Sequence, residues 1–306
     1  MEWIARPRYR LPLEDAEYAW PSHPSMTVEW FGTGDPAIAL ALMPHANEPL
    51  GYALHRPLEN LAPGCGRVAV VWPVDPPPAD RYFPLPCDFR EFLRTGYLQP
   101  LEEQTEFAHS ADPATLTQCH AADFRRLVQL AAPAALILVH NDAFSRIPYL
   151  YGNRRWPEAE RLLASAPADA FPDVPLDEVE WTHHLGPRTY AYFKAADIDV
   201  HGSEAAGVYV AEALRIPVLT AELPMFDWTG IGDGLRIAVR RRMERWIEEG
   251  CGDTASMVAD SDALLAGRPV PMIAPEVNAR ALHAILEGVR AELDVWPTAS
   301  ERSTRL

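Results

Sequence analysis

Cysteine is scarce and scattered in this chain. Its four cysteines, Cys65, Cys87, Cys119 and Cys251, form no CxxC pair. That spacing excludes a disulfide scaffold and a cysteine-ligated metal site, and it points to a reducing compartment. No run reaches the roughly 18 apolar residues of a membrane helix. The opening MEWIARPRYRLPLED contains no apolar segment of the secretory kind, so a cytoplasmic protein is expected. Positive charge is also in deficit. The formal net charge is -16 and the pI about 5.0, which argues against nucleic acid or anionic lipid as partners. An anionic substrate would need a local cationic pocket inside that negative shell. No GxGxxG follows an early strand, which counts against a dinucleotide-binding dehydrogenase. Internal repeats and low-complexity tails are absent.

What remains is an ordinary globular composition, 48% hydrophobic and 23% charged over 306 residues. Prolines number 30, about twice the usual share of ~5%. They cluster in connections such as Pro73-Val74-Asp75-Pro76-Pro77-Pro78, which read as stiff loops because apolar runs soon resume. Strands are predicted at 26–31, 37–43, 68–72, 134–139 and 216–220. Helices are predicted at 48–61, 89–93, 113–131, 157–166 and 203–214, then three more at about 233–249, 253–266 and 275–293. Residues 82–108 have weak periodicity and read as a long functional loop, and 172–200 give no clear pattern. Strands alternating with helices imply an α/β protein whose mostly parallel, mixed sheet is flanked by helices.

In such sheets ligands bind beyond the carboxyl ends of the strands. Three of those ends carry ionisable groups: His45-Ala46-Asn47-Glu48 after 37–43, His140-Asn141-Asp142 after 134–139, and Glu222 after 216–220. Two histidines and a carboxylate, with a water in the open position, make a catalytic zinc site. A second carboxylate nearby would carry that water's proton to the leaving group.

The stretches "PHANEPLG" (44–51), "LVHNDAF" (138–144) and "LTAELP" (219–224) resemble, in order and spacing, the M14 zinc carboxypeptidases and their relatives, the aspartoacylases and succinylglutamate desuccinylases. The resemblance spans residues 26–226, and the last 80 residues (306 − 226) match nothing in it. It implies a single carboxypeptidase-like domain over 1–306 with a helical C-terminal extension from about 233. It implies one Zn2+ held by His45, Glu48 and His140, with Glu222 as general base. The implied activity is cleavage of an amide bond next to a free carboxylate in a small peptide. Deacylation of an N-acyl amino acid, as in the aspartoacylases, is the alternative. The separation of 95 residues between His45 and His140 (140 − 45) lies nearer to that branch. A non-catalytic zinc-binding protein on the same scaffold is a further alternative, and the presence of Glu222 counts against it.

Members of the family hold a substrate carboxylate or oxyanion with arginine, whose fork fits a carboxylate. That arginine lies between the zinc pair and the later histidine, often preceded by asparagine. Here the window "CDFREFLRTGYLQP" has no Asn-Arg. Arg94, 49 residues after His45 (94 − 45), is the first candidate and Arg90 the second. Asn141 and Tyr149 are further substrate contacts, with Tyr151 beside them. His183-His184 has metal-binding chemistry without a third partner, and His201 is a candidate substrate contact.

Overall fold

A computed structural model describes residues 9–10, 26–34, 37–42, 44–45, 47–48, 50–51, 53–54, 66–74, 87–95, 104–110, 112–152, 154–165, 171, 183–191, 213–248 and 254–294. Nine strands are present among them: β1 Tyr9–Arg10, β2 Thr27–Phe31, β3 Ala37–Leu42, β4 Arg67–Trp72, β5 Ala135–Asp142, β6 Tyr149–Gly152, β7 His184–Gly186, β8 Thr189–Ala191 and β9 Val218–Pro224. The helices are α1 Phe89–Thr95, α2 Leu116–Ala131, α3 Pro157–Ser165, α4 Asp233–Glu248, α5 Thr254–Leu265 and α6 Pro275–Asp294.

The strands form one sheet in the order β1-β2-β4-β3-β5-β9-β6-β8-β7. Its centre, β4-β3-β5-β9, is parallel. The joins β2·β4 and β6·β9 are antiparallel. All six residues of β3 are buried, as a strand covered on both faces requires. On one face Ile38, Leu40, Ile137, Val139, Leu219 and Leu223 pack with Leu282, Ile285 and Val289 of α6. On the other, Ala39, Ala41, Leu136 and Leu138 meet Phe124, Leu127 and Val128 of α2. Helix α6 is therefore built into the main core. A third cluster joins α1, α4 and α5 around Phe226 and Trp228.

The chain leaves β3 toward β4 on one side and returns to β5 on the other. The carboxyl ends of β3 and β5 thus flank a switch point, where adjacent connections diverge and leave a crevice.

Three features depart from the sequence reading. Helix α2 begins at Leu116 rather than 113, because Thr115 and Gln118 close a capping box: Thr115 Oγ1 accepts from Gln118 N at 3.2 Å and Gln118 Oε1 accepts from Thr115 N at 3.2 Å. Strands β5 and β9 run past their apolar stretches, since the ladder between them continues through Asp142 and Pro224. The flank β6-β8-β7 was not anticipated, its strands being three or four residues long and too short to show a period. Of the helix predicted at 48–61, Leu50, Gly51, Ala53 and Leu54 are helical and 55–61 lie outside the described residues. Most of the helix predicted at 203–214 lies outside them too.

Candidate metal centre

The centre is assembled from three chain segments. His45 and Glu48 sit on a turn just after β3, closed by a hydrogen bond from Glu48 N to His45 O at 3.2 Å. Leu50 N donates to Asn141 Oδ1 at 3.0 Å, which ties this turn to β5. His140 lies within β5 and points to the α2 face by alternation with Val139. Glu106 comes from a short 3-10 turn, Thr105–Phe107, which packs against α2 on that same face.

Two carboxylates bracket the histidine pair. Glu48 Oε1 lies 2.9 Å from His45 Nδ1 and 3.1 Å from His140 Nδ1. Glu106 Oε2 lies 2.7 Å from His45 Nε2 and 3.4 Å from His140 Nε2. The two rings meet edge to face at 4.7 Å, and Phe107 stacks on His45 at 5.6 Å. Burial alone would lower the pKa of His140, but Glu48 and Glu106 outweigh it and hold the imidazole up to about 9. His45 is also raised, well above its ordinary value, against burial and by Glu48 and Glu106. Burial opposes ionisation of Glu48, yet His140 and His45 hold it down to about 2. Glu106 is lowered in the same way, chiefly by His140 against burial.

The donor set fits a metal ion. Both Nε2 atoms are buried and lack an aligned hydrogen-bond partner despite the nearness of Glu106, and Glu48 Oε2 is buried without a partner. The short distances and the missing alignment are compatible: these atoms crowd toward one another without the directionality of hydrogen bonds. Zinc ligands at 2.0–2.1 Å in a tetrahedron stand about 3.3 Å apart, close to the separations here. His45, Glu106 and His140 can each offer one ligand atom within 4.8 Å of the others. Glu106 was missed in the sequence. The only signal was a buried-type segment, "QTEFA", inside the stretch read as a functional loop.

Glu222 lies inside β9, not after a strand end, as the register partner of His140. On its other side Tyr149 is its partner across β6·β9. Glu222 is half-buried. Burial pushes its carboxyl up to about 8, opposed by His140 and reinforced by Glu48 and Asp142. Tyr149 donates its hydroxyl to Asp142 Oδ2 at 2.8 Å and packs edge-on against Tyr151 at 5.6 Å.

The other expected contacts fall elsewhere. Asn141, on the opposite face of β5 from His140, acts on the site through the turn that it holds. Arg90 donates from Nε to Asp262 Oδ1 at 2.8 Å on the exposed side of α1, and Arg94 is exposed. Phe89, Phe92 and Leu93 take the buried side of that helix. Arg90 and Arg94, four residues apart, therefore share its outer face, and the contacts described for them do not reach the histidine pair. His183 and His184 are exposed, and His201 lies outside the described residues.

No protein-family model and no curated protein matches the sequence. Solved structures do match its fold. A metallo-carboxypeptidase from Burkholderia cenocepacia is 12% identical, covering 97% of this chain and 67% of its own, with a TM-score of 0.54. A protein classed as a carboxypeptidase from Burkholderia mallei is 11% identical, covering 95% and 64%, with a TM-score of 0.52. One classed as a metallopeptidase from Shewanella denitrificans is 10% identical, covering 92% and 83%, with a TM-score of 0.50. The α/β fold of the chain is thus a carboxypeptidase-like one, the group its three short stretches resemble. Among the described residues no helix is long and apolar enough to cross a membrane.

Proposed function

We propose that the chain is a zinc-dependent hydrolase that cleaves an amide bond next to a free carboxylate. The observation that carries this reading is the buried His45–His140 pair between two carboxylates, with Glu222 beside His140 on the neighbouring strand. His45, Glu48 and His140 would hold the zinc. Glu48 is preferred to Glu106 because it meets the two Nδ1 atoms almost equally and shares a pinned turn with His45. Glu106, 2.7 and 3.4 Å from the two Nε2 atoms, would then take the place behind the rings from which a carboxylate orients histidine ligands once the metal sets their tautomers. When bound, zinc in such a set polarises a carbonyl and makes water more acidic.

Glu222 is the proton carrier. Its raised pKa keeps it near the point of exchange at neutral pH, where a general base can accept a proton and return it to a leaving amine. Tyr149, on the strand beyond Glu222, donates to Asp142 on the strand of His140, so the pair reaches across the strand that carries Glu222.

The test is metal analysis of four variants. Glu48→Ala should lose zinc, and Glu106→Gln should keep it with affinity weakened roughly 10- to 100-fold. The opposite pattern would exchange the two roles. Zinc retained in His45→Ala and His140→Ala would remove the site altogether. Activity is sought on C-terminal peptides and on N-acyl amino acids in parallel, since both present a carboxylate beside an amide.

A further inference from the structure

Asp142 ends β5 two residues after His140, so the two side chains share a face of the sheet. Glu222 is the register partner of His140 on one side and of Tyr149 on the other. Register partners also share a face, so His140, Asp142, Glu222 and Tyr149 all rise from one side of the sheet. Strand β9 runs between β5 and β6. The bond from the Tyr149 hydroxyl to Asp142 Oδ2, at 2.8 Å, therefore crosses over β9. It spans two strand intervals, roughly 9 to 10 Å, between the rung of Glu222 and the rung that Asp142 shares with Pro224.

The span is anchored at both ends. Asp142 Oδ1 accepts from Phe144 N at 2.7 Å and from Ser145 N at 2.9 Å, and the Asp142 carbonyl accepts from Met225 N at 3.0 Å. The turn that follows is held from outside by Trp228 Nε1 on Ala143 O and Arg236 NH1 on Phe144 O, each at 2.8 Å. At the other end the buried Tyr149 ring packs edge-on against Tyr151 at 5.6 Å and Tyr190 at 5.7 Å. Capping the turn uses one oxygen of Asp142, and packing the ring uses no hydroxyl. The bond between the second oxygen and the hydroxyl goes beyond both local roles. A hydroxyl on a carboxylate is also one of the stronger hydrogen bonds. What it adds is a bar across the face from which Glu222 projects, on the side toward the carboxyl end of β9.

We propose that the Tyr149–Asp142 bond is a positioning latch for Glu222: closed over β9, it excludes the rotamers that swing toward the carboxyl end of the sheet and keeps the carboxylate at the rung of His140. Asp142 and Tyr149 are thus positioning residues that act through Glu222. The purpose of that placement rests on the hydrolase reading; the placement itself does not.

Crystal structures of the zinc-loaded protein test this through the Glu222 side chain, alongside zinc content and turnover of C-terminal peptides and N-acyl amino acids. The wild type should show one Glu222 conformer, at the rung of His140. Tyr149→Phe keeps the ring and removes the bond. There Glu222 should move, wholly or as a second conformer, toward the rung of Pro224, with zinc content unchanged. In Asp142→Asn the amide still accepts from both turn nitrogens and donates to the Tyr149 oxygen, so Glu222 should keep its place. On a probe that the wild type hydrolyses, Tyr149→Phe should lower kcat about tenfold or more and leave KM within about twofold, since the cost falls on alignment of the reacting groups. Asp142→Asn should lose less. A Glu222 side chain unmoved in Tyr149→Phe overturns the proposal, whatever the turnover. Displacement in Asp142→Asn as large as in Tyr149→Phe overturns it too, because the charge of Asp142 rather than the bond would then set the position. A wild type that hydrolyses neither probe counts against the hydrolase reading alone, and the crystal structures still decide the latch.

Discussion

Loading the metal-free protein with zinc should release protons in a yield set by the buried quartet. His140 titrates at about 9 and His45 well above its ordinary value, so both imidazoles are protonated near pH 7 in the metal-free protein. Zinc binds only neutral imidazole, and a ligand that must first lose its proton makes affinity depend on pH. Two protons should therefore leave per zinc near neutrality, with Glu222, at about 8, adding part of a third. Apparent affinity should improve by about two orders of magnitude per pH unit near neutrality, and less steeply once pH passes about 9 and His140 has lost its proton. Calorimetry in buffers of different ionisation enthalpy counts these protons. A yield below one per zinc near pH 7, or an affinity unchanged between about pH 6 and 8, refutes the reasoning. The metal-free protein should show the converse in its stability. A raised His140 contributes stability that is complete below about 6.5 and lost as pH rises through about 9, worth about 3 kcal/mol at 1.36 kcal/mol per unit. Glu48 contributes above its unfolded value of about 4.5 and loses its contribution as pH falls through about 2. It is the same attraction seen from the other partner, counted once. Thermal stability of the metal-free protein should thus be greatest between about pH 4.5 and 6.5.

Two further outcomes are expected. Glu222→Gln should keep zinc and its melting temperature while losing about a hundredfold or more in turnover; near wild-type turnover would move the base to another acid. Gly288→Ala should destabilise the fold by about 3 kcal/mol, because the added Cβ would lie 2.3 Å from Ala159 Cα and 2.5 Å from its backbone nitrogen where α6 crosses α3. A drop in melting temperature on the order of 5–10 °C is expected, and a variant melting with the wild type would mean that the helices part without cost.

Much of the centre's framework could be read from the residues in order. The apolar runs of β3, β4, β5 and β9 are long enough to show a buried strand, and three helices can be read from 233 onward; all of these appear in the structure within a few residues. His45, Glu48, His140 and Glu222 could be gathered because they stand at or near the ends of such runs. Glu106 could not, since it sits on a three-residue turn, and its pairing with two histidines at 45 and 140 exists only after the chain folds. Arg90 and Arg94 were chosen by position in the chain, while the helix that bears them spends its buried side on Phe89, Phe92 and Leu93.

The placement of Glu222 on a ladder rather than on a loop gives the centre a built-in ruler. His140, Glu222 and Tyr149 occupy three adjacent strands at matching rungs, so neighbouring members are spaced by the strand interval of about 4.8 Å. No loop sets these intervals, and changes in the connections around the sheet leave them as they are. The same ruler has a single point of failure. If β9 slid by one residue, its alternation would invert and Ala221 or Leu223 would face His140 in place of the carboxylate. The apolar side chains Leu219, Ala221 and Leu223, buried on the far side of the strand, therefore guard the chemistry without touching it.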